Sequence, residues 1–377
     1  MLPVNPLPAG CVQECLGCPH REWSREESLA QKEAFVRLHL GSFTHRLESI
    51  RSVSDQDRLN YRDRAVLALD WLEAERRWKV GLRGRKKNPR DFKEKPPVIE
   101  ISSCPVHTAR IRAGMRLMTT QLPGAGVLPL THAVISGALV TLVVKAKRAE
   151  VADATVKRVA ALLWDEAGFE GVFIDFHPSA GNRVLSSSGG TLIWGREQSE
   201  VAGFTHGPSA FLQLLPTLHA ESLTEAFASI VTAQPDIGVD LYCGIGASLR
   251  RWGDLPVLGI ELSGEAVRLA RMNAPKAQVL QGKCSERLPQ IQDWIQKSKR
   301  VAVYLNPPRM GLEPEVLRWL QGESRIAAIS LLSCSPESLA RDVRALVNDG
   351  GFQLERLVPY DFFPQARNVE VLVTLKR

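Results

Sequence analysis

From Phe204 to Arg377 the sequence alternates short apolar runs with amphipathic stretches, and this restricts the fold more than any other feature. The runs IGVDLYC, PVLGIEL, AQVLQ, VAVYL and RIAAISLL have the length and composition of buried strands. Helix signals lie between them. Ser263 is placed to cap GEAVRLARMNA, and Ser335-Pro336 opens PESLARDVRALV, with Gly350 and Gly351 beyond its end. Such alternation predicts a parallel sheet joined by crossover helices. Two further runs, FQLERLVPY and EVLVTL, follow each other closely and predict a terminal hairpin. The expected fold class is α/β, a Rossmann-like doubly wound sheet of seven strands. A nicotinamide-binding version ordinarily lacks the hairpin; the class I methyltransferase variation has it.

The rest of the chain reads differently. Between 110 and 203, ALVTLVVKAK, GVFIDFH and TLIWG are strand-like and VADATVKRVAALLWDEA has helical periodicity, which predicts a small α+β domain. In the first 109 residues, QKEAFVRLHLGSFTHRLESI is helix-like, and RAVLALDW with KVGLRGR predicts a hairpin. Three regions are thus expected: 1–109, 110–203 and 204–377. The hairpin feeds a basic window from Arg76 to Lys95, with ten basic residues against Asp91 and Glu94, a local +8 in a chain of formal net charge +7. Charge concentrated in this way is the footprint of a polyanion-binding segment, RNA included, or of a solvated loop.

The N-terminus MLPVNPLPAG shows no basic stretch followed by an apolar one, so no secretory signal is expected. The longest run without charge, Leu117 to Val144, is interrupted by Pro123, Pro129 and several glycines, which argues against a membrane span. A cytoplasmic, monomeric protein is expected. Seven cysteines in 377 residues are too few for a disulfide scaffold. Cys11, Cys15 and Cys18 crowd the N-terminus, and with Cys104 they make four thiols, enough for an iron–sulfur cluster. Cys104-Pro-Val-His107 offers a C-x₂-H that suits zinc instead, and spacing does not separate the two.

Four features place chemistry at the C-terminal ends of the predicted strands. VDLYCGIG carries Asp240 into a turn with Gly244 and Gly246, where the backbone can approach a ligand. Glu261 ends the next strand, where a carboxylate accepts from ribose hydroxyls, a pattern suited to S-adenosylmethionine or a dinucleotide. Asn306-Pro-Pro-Arg309 makes a rigid turn, and its arginine stands where adenine-methylating enzymes carry an aromatic residue. Cys334 precedes a helix N-terminus, which predicts a thiol pKa below the free value of about 8.5 and a nucleophile rather than a packing residue. Cys243 and Cys284 read as packing residues. In NVEVLVTL, alternation sends Glu370 to the face opposite Val369 and Val371.

Taken in order, these elements resemble the bacterial RNA uracil-5-methyltransferase family over nearly the whole chain. The matching segments are CVQECLGCPHREWSREESLAQK, SSCPVH, Tyr61-Arg62-Asp63-Arg64, FLQLL, DLYCGIG, NPPRMG, SCSPESLARD and DFFPQARNVE. The resemblance implies a [4Fe–4S] cluster on Cys11, Cys15, Cys18 and Cys104. It implies S-adenosylmethionine binding by Gln213, Tyr242, Glu261 and Asn306, with Cys334 as nucleophile and Glu370 as base. It is nearest to the short subgroup acting on large-subunit (23S) ribosomal RNA, which lacks an N-terminal β-barrel; no room for that barrel precedes Cys11. Transfer RNA is the alternative substrate. Leu215 and Ser335 replace family asparagines, QGKCSERL lacks an aspartate near the adenine, and Gln365, Arg367 and Asn368 stand where histidines are usual.

The implied reaction adds the Cys334 thiolate to uracil C6, methylates C5, and removes the C5 proton through Glu370. Two other classes fit parts of the sequence. A non-catalytic RNA-binding homologue would keep the fold without methyl transfer. A radical methylating enzyme would use Cys11-x₃-Cys15-x₂-Cys18, but the doubly wound half and a fourth cysteine argue against it.

Overall fold

The computed structural model describes residues 6–86, 88, 95–179, 183–186 and 189–377. It divides into two compact units, one of residues 1–22 and 56–214, the other of residues 23–55 and 215–377. The helices of eight or more residues are α1 (Arg25–Leu40), α2 (Ala109–Thr120), α3 (Asp153–Ala167), α4 (Pro216–Thr232), α5 (Gly264–Asn273), α6 (Leu288–Ile295), α7 (Pro314–Gly322) and α8 (Pro336–Asn348).

The first unit is built on β1 (Arg64–Leu72), β2 (Arg77–Arg83), β3 (Val98–Glu100), β4 (Leu130–Ser136), β5 (Leu139–Val144), β6 (Gly171–Phe176) and β7 (Thr191–Gly195), in the order β3-β2-β1-β4-β5-β6-β7. A short hairpin, β8 (Ser199–Val201) with β9 (Phe204–His206), follows. β1 and β2 form the expected hairpin. Residues 1–109 and 110–203, read from sequence as separate regions, share this sheet, because β1 pairs with β4 through Arg64↔Ser136 to Ala68↔His132. Ile111, Met115 and Met118 of α2 and Val156, Val159 and Leu163 of α3 join Leu67, Leu69, Val80, Leu142 and Ile174 in one apolar core.

The second unit holds β10 (Ile237–Leu241), β11 (Val257–Glu261), β12 (Gln278–Gln281), β13 (Val301–Leu305), β14 (Ile326–Ser333), β15 (Gln353–Tyr360) and β16 (Glu370–Lys376). Their order is β12-β11-β10-β13-β14-β16-β15, parallel through β14 and antiparallel at β16 and β15. All seven expected strands form, and the class I methyltransferase sheet with its terminal hairpin is the observed architecture. The central strands β10, β13 and β14 are buried throughout, as strands covered on both faces must be. One face packs against Val36 and Leu40 of α1, Ile291 and Ile295 of α6, and Leu339 and Val343 of α8. Opposite, Phe227 of α4 stacks on Tyr304 of β13 at 5.5 Å between ring centroids.

Residues 23–55 belong to this unit although they lie in the expected first region. After α1 the chain runs parallel beside β15, with Glu48 N–H donating to Leu357 O and Arg51 N–H to Pro359 O. The segment thereby covers an edge that would otherwise present unpaired amides. Among the described residues no helix is long and apolar enough to cross a membrane.

Candidate active site

In an open α/β sheet a ligand site forms beyond the carboxyl ends of the strands, where the strand order reverses. Here that place lies between β10 and β13. Asp240, within β10, is fully buried. Its two oxygens accept from Ser248 Oγ at 3.1 Å and Trp252 Nε1 at 3.0 Å. Burial pushes its carboxyl up to about 7. Asp240 therefore braces the turn from inside the sheet. In the turn Tyr242, Gly244 and Gly246 all have positive φ, of 61°, 54° and 90°. A Cβ on Gly244 would meet nothing within 4 Å, whereas one on Gly246 would lie 3.1 Å from Ala270 Cα. Gly246 is required by the approach of α5, and Gly244 by its backbone conformation beside open space.

Glu261 closes this turn. Its carboxylate accepts from Gly244 N–H at 3.0 Å and Ser263 N–H at 2.8 Å, so it is fixed beside the glycine. Tyr242 is held by Glu313, with 3.5 Å between its hydroxyl and Oε1, while Glu313 Oε2 accepts from Ser285 N–H at 3.1 Å. Asn306 follows β13 directly, its N–H donating to Leu241 O at 3.3 Å, which sets the NPPR turn beside the glycine turn. Tyr242, Glu261 and Asn306 thus gather at one edge of the sheet. Gln213 belongs to the first unit, with its Oε1 buried and without a hydrogen-bond partner among the described residues.

The next strand end brings Cys334 to Glu370. β14 pairs antiparallel with β16, Ser333 facing Val371, so one further step of the same register sets Cys334 opposite Glu370. Glu370 is 3% exposed, a carboxylate buried at the start of β16. The expected depression of the Cys334 thiol does not occur: its pKa is raised. Burial is the largest cause and the Glu370 charge adds to it, while the Arg309 guanidinium, in hydrogen-bonding contact, pulls the other way. Ser335 caps α8 as expected, accepting from Ser338 N–H at 3.3 Å. Cys243 and Cys284 are buried packing residues, as read from sequence.

Arg309 was noted in the sequence only for what it excludes; its contact with the thiol is a new feature of the site. Two residues of the LARD element explain its placement. Asp342, buried, accepts from Leu312 N–H at 2.9 Å, and Arg341 Nη2 donates to Met310 O at 3.0 Å. Helix α8 therefore carries Cys334 at its entrance and clamps the Arg309 turn one to two turns further on.

Cys11, Cys15, Cys18 and Cys104 all lie in the first unit. Cys15 and Cys104 raise the pKa of both Cys11 and Cys18, Cys15 also raises that of Cys104, and burial pushes Cys18 up to about 12. Amide N–H groups of Val106 and His107 donate to the Cys104 sulfur, and that of Val12 to the Cys11 sulfur. Arg21 secures the loop by donating to the carbonyls of Val12, Gln13 and Cys15. Two distant segments thus bring the four thiols into one region of the first unit. They are not drawn to ligation distance: among the described residues no three His, Cys, Asp or Glu side chains stand where they would hold a metal ion. Buried His107 is pushed down to about 4 and has no partner for Nδ1 among the described residues.

Part of the basic window is internally neutralised. Arg83 pairs with Asp70 at 2.8 Å, and Arg77 with Glu100 at 2.8 Å. Arg85 and Lys86 lie beyond these pairs, while Lys87, Arg90 and Lys93 fall outside the described residues.

Residues 263–377 match the family model described as tRNA (uracil-5-)-methyltransferase. The matched stretch lies wholly within the second unit. An uncharacterized RNA methyltransferase of Parasynechococcus marenigrum is 26% identical over 98% of this chain and 82% of its own length. One from Gloeobacter violaceus is 33% identical over 59% of this chain, the match spanning about half (49%) of that relative. Among solved structures, Pyrococcus abyssi tRNA (uracil-54, C5)-methyltransferase in complex with S-adenosyl-L-homocysteine superposes with a TM-score of 0.67. That likeness covers 96% of this chain and 86% of the other at 19% identity, and it shows the shared fold.

Proposed function

We propose that this protein transfers a methyl group from S-adenosylmethionine to C5 of a uridine in RNA through a covalent Cys334 adduct. The observation that carries the reading is the β14–β16 register, which faces a thiol with a buried carboxylate beside Arg309 and next to the glycine turn. A thiol opposite a carboxylate supplies what uracil C5 alkylation needs, a nucleophile for C6 and a base for the C5 proton. The methyltransferase sheet, the family match over 263–377 and the RNA methyltransferase relatives support it.

Tyr242, Glu261 and Asn306 would hold S-adenosylmethionine, which when bound supplies an electrophilic methyl. Glu261 would accept from ribose hydroxyls, and Asn306 would orient the donor or the uracil. Cys334 adds as thiolate to C6, which leaves C5 enolate-like and able to take the methyl. Arg309 offsets the negative charge of the sulfur before addition. Glu370 then removes the C5 proton, the C5–C6 double bond re-forms, and the C6–S bond breaks to release Cys334. A uridine paired within a helix exposes neither face of its ring, so the target is flipped out or lies in a loop.

Large-subunit ribosomal RNA is the preferred substrate and tRNA the alternative, both met in the cytoplasm. The first unit would bind RNA through the charge around Arg85 and Lys86. Its four cysteines would hold a [4Fe–4S] cluster that ties residues 11–18 to residue 104, a role in folding stability. Anaerobic purification with iron, sulfide and zinc analysis tests the cluster; stoichiometric zinc without visible absorption overturns it. For the reaction, methyl-tritiated S-adenosylmethionine is incubated with RNA from cells with and without the gene, and nucleosides are identified by mass spectrometry. Formation of 5-methyluridine by wild type but not by Cys334→Ala is expected. Product from Cys334→Ala rejects the covalent mechanism.

A further inference from the structure

Helix α1 is far from Glu370 in sequence, yet it holds the chain that leads to it. Residues 361–369 connect β15 to β16, and Glu370 begins β16. Lys32, 0% exposed, donates to Asp361 Oδ1, itself 1% exposed, and to Phe363 O at 3.0 Å. Asp361 Oδ2 accepts from Ser52 Oγ at 3.1 Å, and Asp361 N–H donates to Arg51 O at 2.8 Å. Ser28, one turn before Lys32 on the same helix face, donates to Pro364 O at 3.4 Å. The connection is thus tied at residues 361, 363 and 364, and Phe362 packs between Tyr360 and His219.

A fully buried ion pair is a poor way to gain stability, because desolvating two charges offsets most of their attraction. In some proteins such a pair instead fixes one geometry, and this one is directed at the backbone that sets the position of a carboxylate. We propose that Lys32 and Asp361 are positioning residues for the base, holding the 361–369 connection so that the Glu370 carboxylate faces Cys334. This rests on the function proposed above. The step affected is the last one: the C5–H electron pair becomes the C5–C6 double bond, the C6–S bond breaks with its electrons going to Cys334, and the proton passes to Glu370. Addition to C6 and methyl transfer do not need the carboxylate to be placed as closely.

Lys32→Met should therefore still add to C6 and transfer the methyl, but release product slowly. In single-turnover reactions with labelled cofactor and undermodified RNA, the ratio of denaturation-resistant protein–RNA adduct to free 5-methyluridine should rise about tenfold or more, since small misplacements of a catalytic group cost up to ~10²-fold. Affinity for RNA and cofactor should be unchanged, and Lys32→Arg should recover most of the wild-type ratio. If Lys32→Met fails to fold with Asp361 uncompensated, the double variant Lys32→Met/Asp361→Asn buries no charge and carries the same expectation. A folded variant with the wild-type ratio overturns the proposal. Glu370→Gln run in parallel separates the two levels. If it accumulates adduct while the Lys32 variants do not, only the positioning role fails; if it also turns over normally, the proposed function fails.

Discussion

Gly244 and Gly246 lie two positions apart in one turn, and the structure gives them different reasons to be glycine. Substituting alanine at Gly244 places a residue at φ 54° with a Cβ in open space. The cost to folding is that of left-handed backbone alone, about 1–2 kcal/mol. At Gly246 the φ is 90° and the new Cβ lies 3.1 Å from Ala270 Cα and 3.3 Å from its carbonyl oxygen. Helix backbone cannot rotate away as a side chain can, so overpacking adds about 1–3 kcal/mol to the strain. Urea denaturation should therefore rank Gly246→Ala as the less stable by at least about 1 kcal/mol. Ligand binding should rank them in the opposite order once measured on folded protein. The Gly244 Cβ projects beside Glu261, which its N–H anchors at 3.0 Å, into space assigned to the cofactor. Calorimetric titration with S-adenosylhomocysteine should show Gly244→Ala weakened about tenfold or more, equivalent to ~1.4 kcal/mol. Equal stability losses would refute the packing argument, and undiminished binding by Gly244→Ala would remove the cofactor from this turn.

Two further outcomes follow from charge. The Asp240 carboxyl, pushed from 3.8 to about 7 by burial, holds a proton in the folded state that the unfolded chain has released between those values. Its contribution to stability is complete below about pH 4 and lost as pH rises through 7, about 4 kcal/mol in all; urea midpoints from pH 4.5 to 8 should fall more steeply for wild type than for Asp240→Asn, and parallel profiles would defeat the assignment. Reversing Arg85 and Lys86 to Glu should weaken RNA binding and flatten its dependence on salt without moving the modified position, as read by filter binding and nucleoside mapping; an unaltered salt slope would make this segment a solvated surface.

What was legible in the sequence was whatever local pattern encodes. Buried parallel strands read as apolar runs, so β10 to β14 stood out, and Ser263 and Ser335 cap the helices they were expected to cap. The positions of Glu261, Asn306 and Cys334 at strand ends were legible for the same reason, since the ends of such strands converge on one edge. Long-range pairing was not. Nothing in QKEAFVRLHL shows that Lys32 will meet Asp361, 329 positions later, or that residues 47–51 will flank β15. The pairing of β1 with β4 was hidden likewise, and with it the single sheet joining two regions that composition alone separates. The Cys334 pKa was misjudged because a helix end is a local feature, whereas burial and the charge of Glu370 come from tertiary packing.

That misjudged thiol bears on the chemistry. A cysteine that faces a carboxylate is harder to ionise, but its thiolate, once formed, is more basic and a stronger nucleophile toward C6. In the reaction proposed above, the charge of Glu370 would disappear when it takes the C5 proton, relieving the thiolate of the repulsion and making it a better leaving group from C6. One interaction would thus favour addition while Glu370 is charged and elimination once it is neutral. The coupling is measurable without RNA. Iodoacetamide reacts with the thiolate, so the alkylation rate of Cys334 against pH reports its ionisation. Removing the facing charge in Glu370→Gln should shift that profile to lower pH, and removing the offsetting cation in Arg309→Met should shift it higher. Cys334→Ala identifies the signal. If Glu370→Gln leaves the profile where it stands in wild type, the carboxylate does not act on the thiol, and a pair that helps both steps has no basis.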